Sequence, residues 1–292
     1  MEGGAALSVS LARAFARALL LLAPIATAAQ ELPLGAGEEV PYVPTPQNVV
    51  DAMLKIAGVS GADFVIDLGS GDGRIVIAAA AKYGARGLGV DYDGYLVKES
   101  QATAAKAGVA DRVTFLQQDI KQIDFSPATV LMMYLLPAFN LELRPKILAE
   151  LRPGARVVSH DWDMGDWEPD AKIEISAPEK TVGLQKSSTV YCWIVPARVA
   201  GRWHAHLPLG DRVTRVDLEF MQRFQHLTGT ATVDGVKAVV ERANVRGPFV
   251  QFRFAQSDGE VRFEGHLRGD RIVGRVTTPD GRTHPWRALR EH

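Results

Sequence analysis

A glycine-rich loop at residues 67–74 is the part of this sequence best suited to holding a ligand. It follows the apolar residues 64–66 and precedes an apolar, helix-like stretch that begins at Ile75. The loop residues whose backbone could face a ligand are Gly69, Ser70, Gly71 and Gly73. Alternating glycines let the chain turn sharply and leave no Cβ atom between loop and ligand. Dinucleotide-binding loops place their third glycine one position later and hold a pyrophosphate. Because Asp67 and Asp72 flank the glycines here, we expect a cationic ligand instead.

Two more acids follow predicted strands further along the chain. Asp91 ends the predicted strand 87–91, 24 residues after Asp67, and a carboxylate there can accept hydrogen bonds from both hydroxyls of a ribose. Asp119 ends the next predicted strand, where its side chain and the backbone of Ile120 could bind an adenine ring. Asp67 itself has two interpretations: it holds an ammonium group, or it caps the glycine turn.

The loop at 67–74, together with Asp91 and Asp119, resembles the cofactor site of class I S-adenosylmethionine-dependent methyltransferases. S-adenosylmethionine carries a sulfonium and an ammonium group, which suits the acids around the loop. The resemblance implies a Rossmann-like sheet of seven strands. It also implies a set of cofactor-binding residues, namely Tyr42, Asp67, Gly69, Ser70, Gly71, Gly73, Asp91, Asp119 and Ile120.

Motifs outside the loop narrow the resemblance. They are Pro-Tyr-Val-Pro-Thr-Pro at 41–46, Leu96-Val97, and Trp-Glu-Pro-Asp at 167–170. In this order they are similar to the membrane-associated protein-lysine methyltransferases that modify the ATP synthase c subunit and the adenine nucleotide translocase. The similarity covers about residues 41–170 and implies methyl transfer to a protein lysine. A small-molecule nitrogen or oxygen acceptor is one alternative, and an exported binding protein with a vestigial methyltransferase fold is another.

The acceptor side of such a site needs groups that orient a nucleophile, since a sulfonium methyl is already electrophilic. A lysine amine must also be neutral to react, and its ordinary pKa is about 10.4. Tyr134, His160 and Asp161 stand at the ends of the fourth and fifth predicted strands and are our candidates for catalytic residues. Tyr134 could equally be a core aromatic residue, and His160 a buried structural one. Residues 134–137 read Tyr-Leu-Leu-Pro and not the Asn/Asp-Pro-Pro-aromatic motif of base-modifying enzymes, which argues against adenine as the acceptor.

The proline-rich segment 41–46 stands just before the strand that leads into the glycine loop. Its three prolines fix φ and stiffen the segment. Thr45 is expected to be the N-cap of a helix whose first residue is Pro46. We predict that Tyr42 covers the bound cofactor and shields its methyl group from water. The alternative is that the prolines only anchor the chain.

Strands and helices alternate through the predicted catalytic domain, residues 41–196, which indicates a parallel sheet. Two strand-like stretches, 172–175 and 188–195, predict an antiparallel hairpin at its edge. Residues 201–292 contain short strands separated by turns, which predicts a β-rich accessory domain that forms an antiparallel meander or barrel. The strands predicted in it are 203–207, 213–220, 227–233, 249–254, 261–267 and 272–277.

The N-terminus has the pattern of a secretory signal peptide. Arg13 and Arg17 precede the apolar stretch 18–29, which ends in the small residues Ala-Thr-Ala followed by alanine. We therefore assign residues 1–29 to a signal peptide and 30–40 to a linker, and expect a periplasmic or secreted protein. An uncleaved membrane anchor and a mitochondrial presequence are the alternatives.

The composition argues against a nucleic-acid-binding surface and against a cysteine-rich metal site. Of the 292 residues, 33 are basic and 34 acidic, so the net charge of −1 gives no electrostatic footprint for nucleic acid. Cys192 is the single cysteine, which excludes a cysteine-rich zinc site, and His204 and His206 have no evident third ligand. We expect no metal. The expected partner is a protein or small-molecule methyl acceptor, with a membrane or the cell envelope as a further candidate.

Overall fold

The computed structural model describes residues 42–209 and 212–292. The predicted signal peptide and linker lie outside these residues. The first part of the chain contains α1 (Gln47–Ile56), β1 (Phe64–Leu68), α2 (Arg74–Tyr83), β2 (Arg86–Asp91), α3 (Gly94–Lys106), β3 (Val113–Gln117), a 3₁₀ turn (Ile120–Gln122), β4 (Val130–Met133), α4 (Pro137–Glu150), β5 (Arg156–His160), β6 (Ala171–Ser176) and β7 (Ser187–Ile194). The second part contains β8 (Gly201–Leu209), β9 (Arg212–Arg223), β10 (His226–Val233), β11 (Val236–Arg246), β12 (Phe249–Gln256), β13 (Gly259–Arg268), β14 (Arg271–Thr277) and β15 (Thr283–Arg290).

The strands β1–β7 form one sheet in the order β3-β2-β1-β4-β5-β7-β6. Strands β1–β5 are parallel, while β7 runs antiparallel between β5 and β6. The predicted Rossmann-like sheet with an antiparallel edge hairpin is therefore confirmed. Because the carboxyl ends of parallel strands share one edge of a sheet, the residues that follow β1, β2, β4 and β5 meet at that edge.

Apolar side chains alternate between the two faces of the central strands. Val65 and Met132 belong to the core cluster that α1, α2 and α3 cover. Ile66 and Leu131 belong to the opposite cluster, which α4 covers together with Trp167. The sheet is buried on both faces, as a parallel sheet requires. Among the described helices, none is both long and apolar enough to span a membrane.

The strands β8–β15 form a closed antiparallel barrel, in which β8 pairs with β15 as well as with β9. Its interior is filled by alternate residues of each strand, such as Val250, Phe252 and Phe254 of β12. Phe252 stacks on Phe263 with ring centroids 4.5 Å apart, and Trp286 meets Phe263 edge-on at 5.1 Å. An eight-stranded barrel is just wide enough for side chains to fill. The predicted antiparallel barrel is therefore confirmed, with an apolar core of its own.

Two strands of the barrel, β11 and β15, are not predicted from the sequence. In β11 the pairing with β12 shifts between Glu241 and Asn244, and Arg242 has a φ of 44°. This bulge interrupts the alternation of inward and outward residues by which a strand is recognised. β15 contains Pro285, and proline is unusual within a strand because it cannot donate a ladder hydrogen bond.

The chain passes from sheet to barrel through an extended link at residues 195–200. Ala197 is buried there, and its N–H donates to the carbonyl of Gly247 in the barrel at 2.8 Å. Residues Tyr42–His292 form one compact unit. The domain boundary at 196–201 stays a prediction, and the link at that boundary is packed against the barrel.

Candidate active site

The glycine loop joins β1 to α2 in a conformation that requires its glycines. The φ angles are 70° at Gly69, 53° at Gly71 and 77° at Gly73. Residues with a Cβ atom rarely adopt this left-handed region. The N–H groups of Gly69 and Ser70 both donate to the carbonyl of Val90 at 2.9 Å, and Gly71 N–H donates to Oδ2 of Asp91 at 2.8 Å. The loop is therefore fixed against the carboxyl end of β2.

The ring of Tyr42 lies directly on the loop. A Cβ atom added to Gly71 would come within 2.2 Å of Cε2 of Tyr42, so glycine is required here by contact as well as by φ. Tyr42 is 45% exposed. Partial burial, followed by the negative charge of Asp72, raises the pKa of Tyr42 to about 12, which keeps the phenol neutral. Its predicted place over the cofactor stays a prediction.

The segment that carries Tyr42 is tied to the loop and to β5. Arg74 donates from Nη1 to the carbonyl of Thr45 at 2.8 Å and from Nε to Oδ1 of Asp72 at 2.9 Å. The hydroxyl of Thr45 lies 3.2 Å from Nδ1 of His160. The expectation that Thr45 caps α1 is wrong, since Pro46 is the N-cap residue and no side chain caps this helix. The hydroxyl bonds to His160 instead.

A small, partly open cavity lies between the Tyr42 segment, the glycine loop and Tyr134. Asp67 lines this cavity and is only 2% exposed. Burial, followed by the negative charges of Asp91 and Asp72, raises the pKa of Asp67 well above its usual range. Among the described residues, no hydrogen bond or cation offsets this effect. The alternative in which Asp67 caps the turn therefore lacks the bond it needs.

Three features of the cavity fit S-adenosylmethionine. A cationic ammonium group beside Asp67 would offset a buried negative charge that otherwise has no partner. The buried hydroxyl of Ser70 also lacks a hydrogen-bond partner among the described residues, and a polar ligand would supply one. The loop glycines leave its backbone open to close approach. No cluster of metal-ligating side chains occurs within residues 42–209 and 212–292.

The acids predicted to bind the nucleoside stand at neighbouring strand ends. Asp91 ends β2, and besides Gly71 it accepts a bond at Oδ1 from the N–H of Asp93 at 3.0 Å. Each of its oxygens keeps a second acceptor position for a ribose hydroxyl. Asp119 follows β3 and accepts a bond from Lys121 N–H at 2.9 Å, which fixes the 3₁₀ turn that begins at Ile120. Their roles in binding stay predictions.

Tyr134 lines the cavity on the predicted acceptor side, and His160 packs against the Tyr134 ring. Their rings lie 3.9 Å apart, and partial burial, followed by the charge of Asp161, raises the pKa of Tyr134 to about 12. His160 is fully buried, and its Nε2 lies 2.8 Å from the hydroxyl of Ser188. Burial lowers the pKa of His160 to about 4. A neutral His160 thus supports the Tyr134 ring from behind, and a direct catalytic role for it stays a prediction.

Asp161 extends this side of the site and already binds an amine. Its backbone has a φ of 63°, which aspartate tolerates better than most residues. Oδ1 accepts a bond from Thr189 N–H at 3.0 Å, and Oδ2 lies 2.7 Å from Nζ of Lys180. Lys180 is 13% exposed in its side chain and also donates to the carbonyl of Ser187 at 2.9 Å.

The structure brings together all three residues predicted for the acceptor side, since Tyr134, His160 and Asp161 are in mutual contact or adjacent. Sequence reasoning missed Thr45, Ser188 and Lys180, which hold them in place. Lys180 lies between β6 and β7 in a stretch with no motif around it. The only available signal was the position of the β6–β7 hairpin beside β5, which places this connection near the strand ends.

Comparisons with known proteins find methyltransferases. The family described as "ANTKMT methyltransferase domain" matches residues 67–171. The protein-lysine N-methyltransferase of Saccharolobus islandicus (strain REY15A) is 40% identical over 157 residues, which cover 53% of this chain and 94% of that protein. The ATP synthase c-subunit lysine N-methyltransferase of Homo sapiens is 33% identical over 131 residues, which cover 45% of this chain and 55% of that protein. The chain thus spans only about half the length of this animal relative.

Among solved structures, an RNA methyltransferase from Salinibacter ruber in complex with S-adenosyl-L-homocysteine is 49% identical. The match covers 54% of this chain and 96% of that one, with a TM-score of 0.49. The family predicted from residues 41–170 is confirmed by the matched domain and by the archaeal relative. The chain belongs to the class I S-adenosylmethionine-dependent methyltransferases, in the family of the archaeal protein-lysine N-methyltransferase.

Proposed function

We propose that this methyltransferase transfers a methyl group from S-adenosylmethionine to the side-chain amine of a lysine in a protein. The observation that carries the proposal is the contact of Lys180 Nζ with Asp161 Oδ2 at 2.7 Å, next to Tyr134. This edge of the sheet therefore accommodates a lysine side chain with its amine on a carboxylate. The lysine acceptors named for the archaeal and animal relatives support the same assignment.

The chemistry needs little from the protein beyond alignment and the exclusion of water. When bound, S-adenosylmethionine supplies an electrophilic methyl group. The carboxylate of Asp161 attracts the arriving ammonium, and partial desolvation then favours its neutral form. The proton leaves to Oδ2 of Asp161 or to water. Tyr134, whose pKa is about 12, stays protonated, and its oxygen accepts a hydrogen bond from the amine, which orients the nitrogen lone pair.

The cofactor side of the proposal combines the residues that line the cavity with the acids predicted to bind the nucleoside. Asp67 receives the ammonium of the methionine part, and the hydroxyl of Ser70 and the backbone of Gly69, Gly71 and Gly73 lie against the same part. Asp91 receives the ribose hydroxyls. Asp119 and the backbone of Ile120 receive the adenine. Tyr42 covers the methyl-transfer site and excludes water.

Incubation of the purified protein with methyl-labelled S-adenosylmethionine and a fractionated lysate tests the proposal. We expect label that is sensitive to proteinase and resistant to ribonuclease, and that yields methyllysine after acid hydrolysis. The Asp91→Ala variant is the control for cofactor-dependent transfer. Label released by ribonuclease, or found only in a small-molecule fraction, would refute a protein lysine as acceptor.

We also propose that the protein is exported through residues 1–29. Support comes from the sequence alone, in which Arg13 and Arg17 precede a short apolar stretch with a small-residue cleavage site. Fractionation of cells that produce the full chain, with N-terminal sequencing of the mature protein, tests this. A cytosolic protein that retains Met1 would contradict it.

A further inference from the structure

A segment between β5 and β6, residues 162–167, connects the acceptor side of the site to the barrel. It begins directly after Asp161. Asn140 of α4 donates from Nδ2 to the carbonyls of Trp162 and Asp163, both at 3.2 Å. Arg144 of α4 donates to the carbonyl of Met164 at 2.5 Å. The backbone of this segment is therefore held by side chains of α4 on one side.

The turn between β9 and β10 of the barrel holds the same segment from the other side. Phe224 in this turn stacks on Trp167 with ring centroids 5.9 Å apart and an interplanar angle of 17°. Phe224 has a φ of 51°, a conformation that non-glycine residues adopt only when their surroundings hold them there. Arg223 lies 2.6 Å from Oδ2 of Asp166, and Arg144 lies 2.5 Å from its other oxygen.

The aromatic contact carries most of this connection. Arg223 is 72% exposed in its side chain, and exposed ion pairs contribute little because water screens them. Trp167 is fully buried, and its contact with Phe224 removes apolar surface from water in addition to stacking. The Phe224 ring also lies under the guanidinium of Arg144, 5.3 Å from its centroid. Phe224 thus joins α4, the segment and the barrel.

The same segment exposes an apolar side chain directly after Asp161, the proposed acceptor carboxylate. Trp162, the residue after Asp161, is 41% exposed. Leu141 of α4 lies against the segment, since a Cβ atom on Gly165 would be 2.9 Å from its Cδ2, and it is 43% exposed. Leu136, two residues after Tyr134, is also exposed. We call Leu136, Leu141 and Trp162 the acceptor rim.

We propose that the acceptor rim selects an apolar residue beside the target lysine, with Trp162 as the main contact, and that the barrel sets the position of Trp162 through Phe224. This inference rests on the proposed lysine acceptor. The archaeal relative is too short to hold both the sheet and a barrel of this size. The barrel is therefore an addition to a catalytic core, and one of the places where it meets that core is the segment that carries Trp162.

A library of peptides with one central lysine and randomised neighbours tests the inference on the full chain. Methylated peptides are captured and sequenced. For the wild type we expect apolar residues to be enriched about threefold or more beside the lysine. Trp162→Ala abolishes this enrichment, and Phe224→Ala reduces it, while cofactor affinity measured by calorimetry changes less than about twofold in both.

Matched controls are Leu184→Ala, a fully exposed apolar residue of the β6–β7 connection, and Met221→Ala, an exposed residue of β9. Both should keep the wild-type enrichment. Phe224→Leu, which keeps an apolar side chain without the ring, should keep part of the enrichment, and it replaces Phe224→Ala if the latter does not fold.

The outcomes separate the two claims. Lysine methylation without apolar enrichment in the wild type, or enrichment that survives Trp162→Ala, overturns the inference and leaves the proposed function intact. Enrichment that is lost in Trp162→Ala but kept in full in Phe224→Ala and Phe224→Leu overturns the claim that the barrel sets the position of Trp162. Absence of methyllysine from every peptide and from labelled lysate protein refutes the proposed function itself.

Discussion

Tyr42 and Gly71 are in direct contact, so that the aromatic ring rests on the backbone of the glycine loop. The ring reaches this position because Arg74 ties the carbonyl of Thr45 to Asp72. The protein's own bonds therefore fix the segment, apart from any contact that a ligand would add.

Replacing Tyr42 with alanine should weaken cofactor binding or slow turnover by about tenfold, which corresponds to about 1.4 kcal/mol. The cause is loss of an apolar cover over the cavity. Tyr42→Phe keeps the ring and should bind the cofactor nearly as well as wild type. Calorimetry and steady-state turnover measure the two effects. Unchanged values in Tyr42→Ala would leave the segment with an anchoring role only.

Asp91→Ala should weaken cofactor binding by about 3 kcal/mol, since it removes the bonds to two ribose hydroxyls. The loss includes a share from the loop, because Asp91 also holds the N–H of Gly71. Asp93→Ala is the comparison variant, since Asp93 caps α3 through Tyr95 N–H and, two residues after Asp91, is the alternative carboxylate for the ribose. Equal cofactor affinity in Asp91→Ala and the wild type would exclude Asp91 from the ribose site.

Much of the cofactor side could be predicted because it is local in the sequence. The residues 67–74 contain strand end, turn and helix start, and the glycines have the positive φ that their spacing suggests. Most strands were also evident from alternating or continuous apolar patterns; β2, for example, is predicted at 87–91 and observed at Arg86–Asp91.

The parts that could not be predicted depend on contacts between distant residues. The bond from Thr45 to His160 joins positions 115 apart, and nothing in either local sequence indicates the other. Phe224 reads as an ordinary hairpin residue, and only the folded chain brings it onto Trp167. The strand β11 was hidden by its bulge at Arg242. In each case the feature depends on contacts between residues that are distant in the sequence, and the local sequence pattern does not determine it.

Cofactor binding should release a proton, with Asp67 as the source. In the cofactor-free protein the pKa of Asp67 is raised well above its usual range. A bound ammonium group lowers that pKa, so binding drives deprotonation between the two values. Affinity should therefore increase as the pH rises toward the raised pKa. Calorimetry in two buffers of different ionisation enthalpy measures the proton, and Asp67→Asn should release none.

Asp67 should destabilise the folded protein when no cofactor is bound. A carboxyl whose pKa is raised on folding stabilises the folded state at low pH, and this contribution is lost as the pH rises from about 3.9 through the raised value. Asp67→Asn removes the buried charge. Its cofactor-free form should unfold at a higher temperature than the wild type at pH 7, and the difference should shrink at acidic pH. A lower unfolding temperature for Asp67→Asn at pH 7 would contradict this account.

His160 should make the protein sensitive to acid. Folding lowers its pKa to about 4, whereas an unfolded histidine has a pKa of about 6.5. The unfolded state therefore binds the proton first, and the free energy of unfolding falls as the pH drops from about 6.5 toward 4, by about 3 kcal/mol at most. Denaturant titrations across this range measure the fall. His160→Gln, which cannot take up that proton, should show a smaller slope; an equal slope would assign the acid sensitivity to other groups.

Lys180 and the acceptor lysine should compete for Asp161. Since Lys180 Nζ already lies 2.7 Å from Oδ2 of Asp161, an arriving amine must displace it or share the carboxylate. Lys180→Gln removes the competing charge and should lower the KM for the acceptor severalfold with cofactor affinity unchanged. Asp161→Asn should lower kcat/KM roughly thirtyfold, because the bond to the charged amine is lost. This corresponds to about 2 kcal/mol of lost transition-state stabilisation. Lys172→Gln is the matched control, since Lys172 lies over the ring of Tyr191. A raised acceptor KM in Lys180→Gln would mean that Lys180 positions Asp161 for the acceptor and does not compete with it.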